Sequence, residues 1–181
     1  MPTTPSGPSW VRRFPTGTTT ASLTPTFATA VNQFVAALRQ GGAMVSIAAT
    51  LRPPERAFLM HYSYKIARGG LDPAMVPAMA GVDIDWVHCD ARGNVNLPAS
   101  RAAAAQMVSG YGIVYAPALV SRHSQGRALD MNISNYLKKK FVDANRVTTT
   151  VNSAAGLHAL GATFGVIKLV SDPPHWSDDG H

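Results

Sequence analysis

The chain has 181 residues, a length that favours one domain over two, and its 46% hydrophobic content excludes a disordered tail or a fibrous repeat. Sixteen Lys and Arg against ten Asp and Glu give a formal charge of +6, which points to an anionic partner: nucleic acid, an anionic surface or an acidic polymer such as a bacterial cell wall. The only cysteine, Cys89, excludes an intramolecular disulfide framework and a Cys-rich zinc finger, so a zinc site here must use His and carboxylates.

Residues 1–24 are rich in Pro, Thr, Ser and Gly and read as an extended arm anchored by Trp10, Val11 and Phe14, leaving residues 25–181 as the main domain. The arm has no apolar run long enough for a signal-peptide core, and no segment of the chain is apolar enough to span a membrane. Thr24 and Pro25 read as N-cap and first residue of a helix, with Phe27, Val31, Phe34, Val35 and Leu38 at helical spacing and Gly41-Gly42 as its stop. Residues 44–50 read as a strand. Pro53-Pro54 opens a second helix that ends at Gly69-Gly70. Residues 71–97 read as a long irregular insert punctuated by Pro73, Pro77, Gly81 and Gly93. A third helix is predicted over 99–109, a strand over 127–133, a fourth helix from near Ser153, and a last strand over 166–170 that ends at Asp172. Short helices with scattered strands and no internal repeat predict an α+β fold, with helices packed on one small antiparallel sheet.

Two segments carry chemistry. In the first, Ser121 to Ile133, a strand over 127–133 places Ala128, Asp130 and Asn132 on one face and the core residues Leu129, Met131 and Ile133 on the other. Gly126 permits a tight turn before that strand, folding His123 back toward Asp130. In the second, Asp172-Pro173-Pro174-His175-Trp176, two prolines push the chain into a polyproline-like path that separates the Asp172 and His175 backbones by about 9 Å. That spacing suits one residue gripping a metal while the other reaches its bound water. A catalytic zinc takes three protein ligands from His and Asp/Glu and keeps a fourth position for water. His123, Asp130 and His175 make such a set, with Asp172 as a base outside it, and the chemistry that follows is hydrolysis of an amide.

Ser-x-His-x-x-Gly-x-Ala-x-Asp, followed some forty residues later by Asp-x-x-His, resembles the zinc D-alanyl-D-alanine carboxypeptidases and L-alanyl-D-glutamate endopeptidases, the VanY-like and phage endolysin enzymes that cut peptidoglycan stem peptides. The resemblance spans roughly residues 27–176, although only the two metal motifs are specific. It implies a hedgehog/D-Ala-D-Ala peptidase-like fold, with zinc held by His123, Asp130 and His175 and with Asp172 as base. Arg52, in Ala49-Thr-Leu-Arg-Pro-Pro, is similar to a family arginine that contacts substrate or the developing oxyanion, and Ser121 stands at the family serine that can hydrogen-bond substrate. Leu51 and Arg56 depart from the residues usual around that arginine, and the 71–97 insert has no family counterpart.

The remaining histidines, His61, His88, His158 and His181, read as structural, and adjacent His88, Cys89 and Asp90 point to opposite faces of an extended chain. Lys138-Lys139-Lys140 reads as a solvated face, and its alternative, functional reading is attraction to an anionic polymer. No basic stripe interleaved with aromatics points to nucleic acid. A wall enzyme without a signal peptide requires phage lysis or delivery as an antibacterial effector to reach its substrate. The competing class is a cell-wall- or partner-binding module on the same fold, as hedgehog-type domains are, and a carboxylate at 172 favours the enzyme.

Overall fold

The computed structural model describes residues 3–181. In chain order the elements are β1 (Thr4–Pro5), α1 (Pro25–Gln40), β2 (Met44–Ala49), α2 (Pro54–Ala67), β3 (Ile84–Asp85), α3 (Leu97–Tyr111), β4 (Ala128–Ser134), β5 (Lys139–Val142), β6 (Thr148–Val151), α4 (Ala154–Thr163), β7 (Ile167–Lys168) and β8 (His175–Ser177). The chain divides into two compact units. One takes the N-terminal residues through Pro15 together with Pro53–Val120, and the other takes Thr16–Arg52 together with Ser121–His181. The compositional boundary at residue 24 falls inside the second unit.

In the first unit, α2 and α3 pack together, and Thr4–Pro5 pairs in parallel with Ile84–Asp85. The N-terminal stretch is tied in by Trp10, 1% exposed, which joins Phe58, Leu59, Ile66, Val82, Trp86, Ala104 and Met107 in one core. Residues 71–97 are therefore not an empty loop, because Val82 and Trp86 bury their side chains there and Asp90 closes a turn by accepting the Arg92 and Asn94 amides at 2.8 and 2.9 Å. α3 starts two residues before the predicted 99–109, since the Asn96 side chain caps the Ala99 amide at 3.1 Å.

The second unit is mixed α/β, built on a four-stranded antiparallel sheet in the order β2-β4-β8-β7. α1 begins at Pro25 as predicted, and its buried stripe of Phe27, Val31, Phe34, Val35 and Leu38 shares a core with Leu129, Met131, Leu157, Leu160 and Trp176. Gly161 of α4 lets the sheet come close: a Cβ there would stand 2.7 Å from the Trp176 ring and 2.7 Å from the Val166 carbonyl.

Among the described residues, three sheets replace the single one expected. Besides the parallel β1–β3 pair, residues 139–151 form a β5–β6 hairpin that buries Phe141 and Val151 against the core. The last predicted strand, 166–170, shortens to Ile167–Lys168, because the chain turns back at Asp172 and adds β8 between β7 and β4.

Candidate metal centre

Alternation along β4 places Leu129 and Met131 in the core, 0% and 2% exposed, and turns Asp130 to the opposite face. The antiparallel register sets Asp130 directly across from His175 of β8, and Leu129 across from Trp176. Cross-strand partners share a face, so His175 joins Asp130 while Trp176 packs on Phe34 at 5.5 Å between ring centres.

His123 arrives from a single tight turn. The Arg127 amide donates to the Arg122 carbonyl at 2.9 Å and the Gly126 amide to the His123 carbonyl at 3.3 Å, with Gly126 left-handed at φ 67°. This is the pattern that closes a helical turn on a glycine. Ser121 and Ser124 brace the same turn: the Ser121 amide donates to Ser124 Oγ at 2.9 Å, and the Ser124 amide to Ser121 Oγ at 3.3 Å.

The three side chains converge. His123 Nε2 lies 3.1 Å from Asp130 Oδ1 and 3.1 Å from His175 Nδ1, and His175 Nδ1 lies 3.3 Å from Asp130 Oδ1. Ligand atoms on a tetrahedron with bonds of about 2.0–2.1 Å stand roughly 3.3–3.4 Å apart, so the triangle has the size a metal ion needs. Both histidine side chains are almost wholly buried, at 7% and 9% exposure. Among the described residues this is the one group of three or more His, Cys, Asp or Glu close enough to hold a metal ion.

Outer hydrogen bonds decide what the rings present. A carbonyl can only accept, so His123 Nδ1–H donates to the Thr50 carbonyl at 2.7 Å and His175 Nε2–H donates to the His181 carbonyl at 3.1 Å. In the neutral rings, His123 Nε2 and His175 Nδ1 are then lone-pair acceptors, and both aim at the Asp130 carboxylate. Three acceptors facing one another demand a cation or a proton between them. Accordingly, burial disfavours charge on His175, but hydrogen bonding to Asp130 overrides it and raises the imidazole pKa. Burial likewise acts to raise the Asp130 pKa, and hydrogen bonds with His123 and His175 hold it well below the usual carboxylate range instead.

Arg52 sits beside the centre through its backbone. Its amide donates to the His123 carbonyl at 3.1 Å, and two residues earlier Thr50 accepts from the His123 ring, so the 50–52 segment clamps His123 from both ends. Thr50 reaches this position after an irregularity in the β2–β4 register between Ile47 and Ala49, its side chain fully buried and 2.8 Å from Ser22 Oγ.

Asp172 is exposed and lies outside the metal triangle, yet its charge is felt at His175. The polyproline path expected for 172–175 is replaced by a turn, in which the His175 amide donates to the Asp172 carbonyl at 3.1 Å. Such a turn brings its ends within about 7 Å, closer than the extended path. Long-range pairing overrides the local preference here, because the Pro174 carbonyl accepts the Met131 amide at 2.9 Å from β4.

Lys168 carries no motif signal and was not anticipated. Its ammonium donates to the carbonyls of Leu169, Asp172 and His175, the last at 3.0 Å, and so fastens the loop that bears Asp172 and His175. Of the remaining histidines, His88 pairs with Ser6 at 3.0 Å, His61 with the Pro117 carbonyl at 2.7 Å, and His158 meets the Trp176 ring edge-on. Cys89 is exposed, and neither it nor His88 and Asp90 joins the metal-sized group. No helix among the described residues is long and apolar enough to cross a membrane. No protein-family model matches the chain, and no curated protein or solved structure matches it significantly.

Proposed function

We propose that this chain is a zinc-dependent peptidase that hydrolyses an amide bond in peptidoglycan stem peptides. The observation that carries the reading is the convergence of His123 Nε2, Asp130 Oδ1 and His175 Nδ1 within 3.1–3.3 Å, with each imidazole proton engaged elsewhere. Two neutral nitrogens and one carboxylate suit zinc, and three protein ligands leave a fourth position for water, as in hydrolytic rather than structural sites. His123, Asp130 and His175 would hold the zinc, which would supply water activation near neutral pH and polarisation of a carbonyl oxygen.

The chain's own groups supply the rest. Asp172, near His175 but not among the ligands, takes the proton from the attacking water and returns it to the leaving amine. Arg52, its backbone fixed to the His123 loop, presents a guanidinium to the substrate carboxylate or the developing oxyanion. Ser121 uses its Oγ to accept the Ser124 amide and keeps its own proton for a substrate carbonyl. The formal charge of +6 draws the protein to an anionic wall polymer, an attraction that salt weakens because screening acts within about 8 Å at physiological ionic strength.

The test is digestion of purified sacculi by the zinc-loaded protein, with mass analysis of the released fragments. Muropeptides with new amino or carboxyl termini are expected, and the termini identify the bond. A protein that takes up no zinc, or one that takes it up and releases nothing, overturns the peptidase reading. The second of those results, with retained sacculus binding, identifies a binding module.

A further inference from the structure

The C-terminal segment does more than follow the last ligand. Ser177, fully buried, accepts the amides of Gly180 and His181 on its Oγ at 2.8 and 3.0 Å, and this folds residues 177–181 into a closed turn. The turn delivers the His181 carbonyl to His175 Nε2. Two consecutive carboxylates on it reach the arginines that flank His123: Asp179 pairs with Arg122, and Asp178 with Arg127 at 2.6 Å. The Asp178 amide also donates to the Arg127 carbonyl at 3.1 Å. The segment therefore holds the His123 turn with its acids and the His175 ring with its backbone.

We infer that residues 177–181 form a positioning clasp for the metal centre, setting His175 to present Nδ1 through the His181 carbonyl and, through Asp179–Arg122, holding the two imidazole-bearing segments at metal-binding separation. The inference rests on the metal-site half of the proposed function and needs neither zinc in particular nor hydrolysis. Without an acceptor for Nε2–H, the His175 ring is free to adopt the other tautomer or rotate, and the ligand atom leaves the triangle. Without the Asp179–Arg122 pair, the His123 turn and the β8 end keep their own folds but lose a tie between them. Outer-shell partners of this kind typically govern metal affinity by about 10–100-fold.

The experiment measures zinc and cobalt dissociation constants by chelator competition for the full chain, Asp179→Asn, Arg122→Met, the Asp179→Asn/Arg122→Met double variant, and a variant lacking residues 180–181. Thermal unfolding of each metal-free form is measured alongside. Affinity losses of about 10-fold or more are expected for each, with the double variant close to either single one because both break the same tie. Metal-free unfolding temperatures should change little for Asp179→Asn, since that side chain is about one-third exposed. Affinities within twofold of the parent across the set overturn the clasp, as does a loss that only tracks a drop in metal-free stability. A parent chain that binds neither metal overturns the metal-site reading itself, so the two failures are separable. Long-range proton–nitrogen NMR of the metal-loaded protein reads the tautomer directly: a proton on His175 Nε2 is expected, and one on Nδ1 refutes the arrangement.

Discussion

His123 and His175 meet with different ring nitrogens: Nε2 of the first stands 3.1 Å from Nδ1 of the second, their ring planes 74° apart. Each ring spends its other nitrogen on a backbone carbonyl, Thr50 for His123 and His181 for His175. The choice of nitrogen follows from the chain path. His123 approaches from a turn outside the sheet, whereas His175 stands in a strand beside Asp130 and reaches the shared point with its nearer nitrogen.

In the proposed centre, proton and metal compete for that point. The His175 pKa lies above its usual 6.5, so in the metal-free protein its contribution to stability is complete below about pH 6.5 and is lost as pH rises through the folded-state value. The Asp130 pKa lies below 3.8, so its contribution is present above about pH 3.8 and is lost as pH falls through the depressed value. Metal binding expels the proton, and the gain in Tm on adding zinc should therefore grow between about pH 5.5 and about pH 7.5. Differential scanning fluorimetry with zinc or with chelator checks this, and a gain that is flat or larger at the acid end contradicts it.

Asp172→Ala should retain one zinc per chain and lose about 10²–10⁴-fold in sacculus hydrolysis, because the proposed function makes this side chain, which lies outside the metal-sized group, the base. Metal analysis together with the digest separates the roles. Loss of zinc along with activity would make Asp172 a ligand.

Arg52→Ala should also retain zinc while hydrolysis falls by about 10²–10³-fold, the scale of one lost oxyanion donor. The backbone amide that braces His123 survives the substitution. Unchanged turnover in the zinc-loaded variant would remove the guanidinium from the chemistry.

Gly126→Ala should destabilise the protein by about 1–2 kcal/mol, the cost of holding an L-residue in the left-handed region. The new Cβ would also stand 3.3 Å from the Ser22 carbonyl and the Thr24 amide, neither of which is a flexible side-chain end. Urea unfolding measures the loss, and unchanged stability would refute the turn geometry.

Gly161→Ala tests packing against propensity. In an open helix the change should stabilise by up to about 1 kcal/mol. Here a Cβ 2.7 Å from Trp176 and the Val166 carbonyl should reverse the sign and cost about 1–3 kcal/mol. Denaturant unfolding of the metal-free protein decides, and a gain would show that α4 can move off the sheet.

The centre was legible where its geometry is local. Period-two alternation suffices to turn Asp130 away from the core, and Gly126 after His123 is enough to read a turn. The path of 172–175 was misread because φ fixed by proline suits both an extended chain and a turn, and the deciding contact, Pro174 to Met131, joins residues far apart in sequence. The pairing of Thr4–Pro5 with Ile84–Asp85 was hidden for the same reason, which is why the N-terminal stretch read as an arm. The β5–β6 hairpin escaped notice because, of its eight paired residues, only Phe141 and Val151 are buried. Lys168, Thr50 and Ser177 act through backbone groups or as buried acceptors, and residue type does not announce such roles.

The place of β8 has a consequence for biosynthesis. Every residue of the first unit has been made once Val120 is added, and His123 and Asp130 follow soon after, but their third companion comes only with His175 and its acceptor only with His181. Since folding proceeds from the N-terminus as a chain is made, the ribosome delivers an open two-ligand half-site long before a complete one. The three-residue group is thus complete only once β8 has joined β4 and closed the sheet of the second unit.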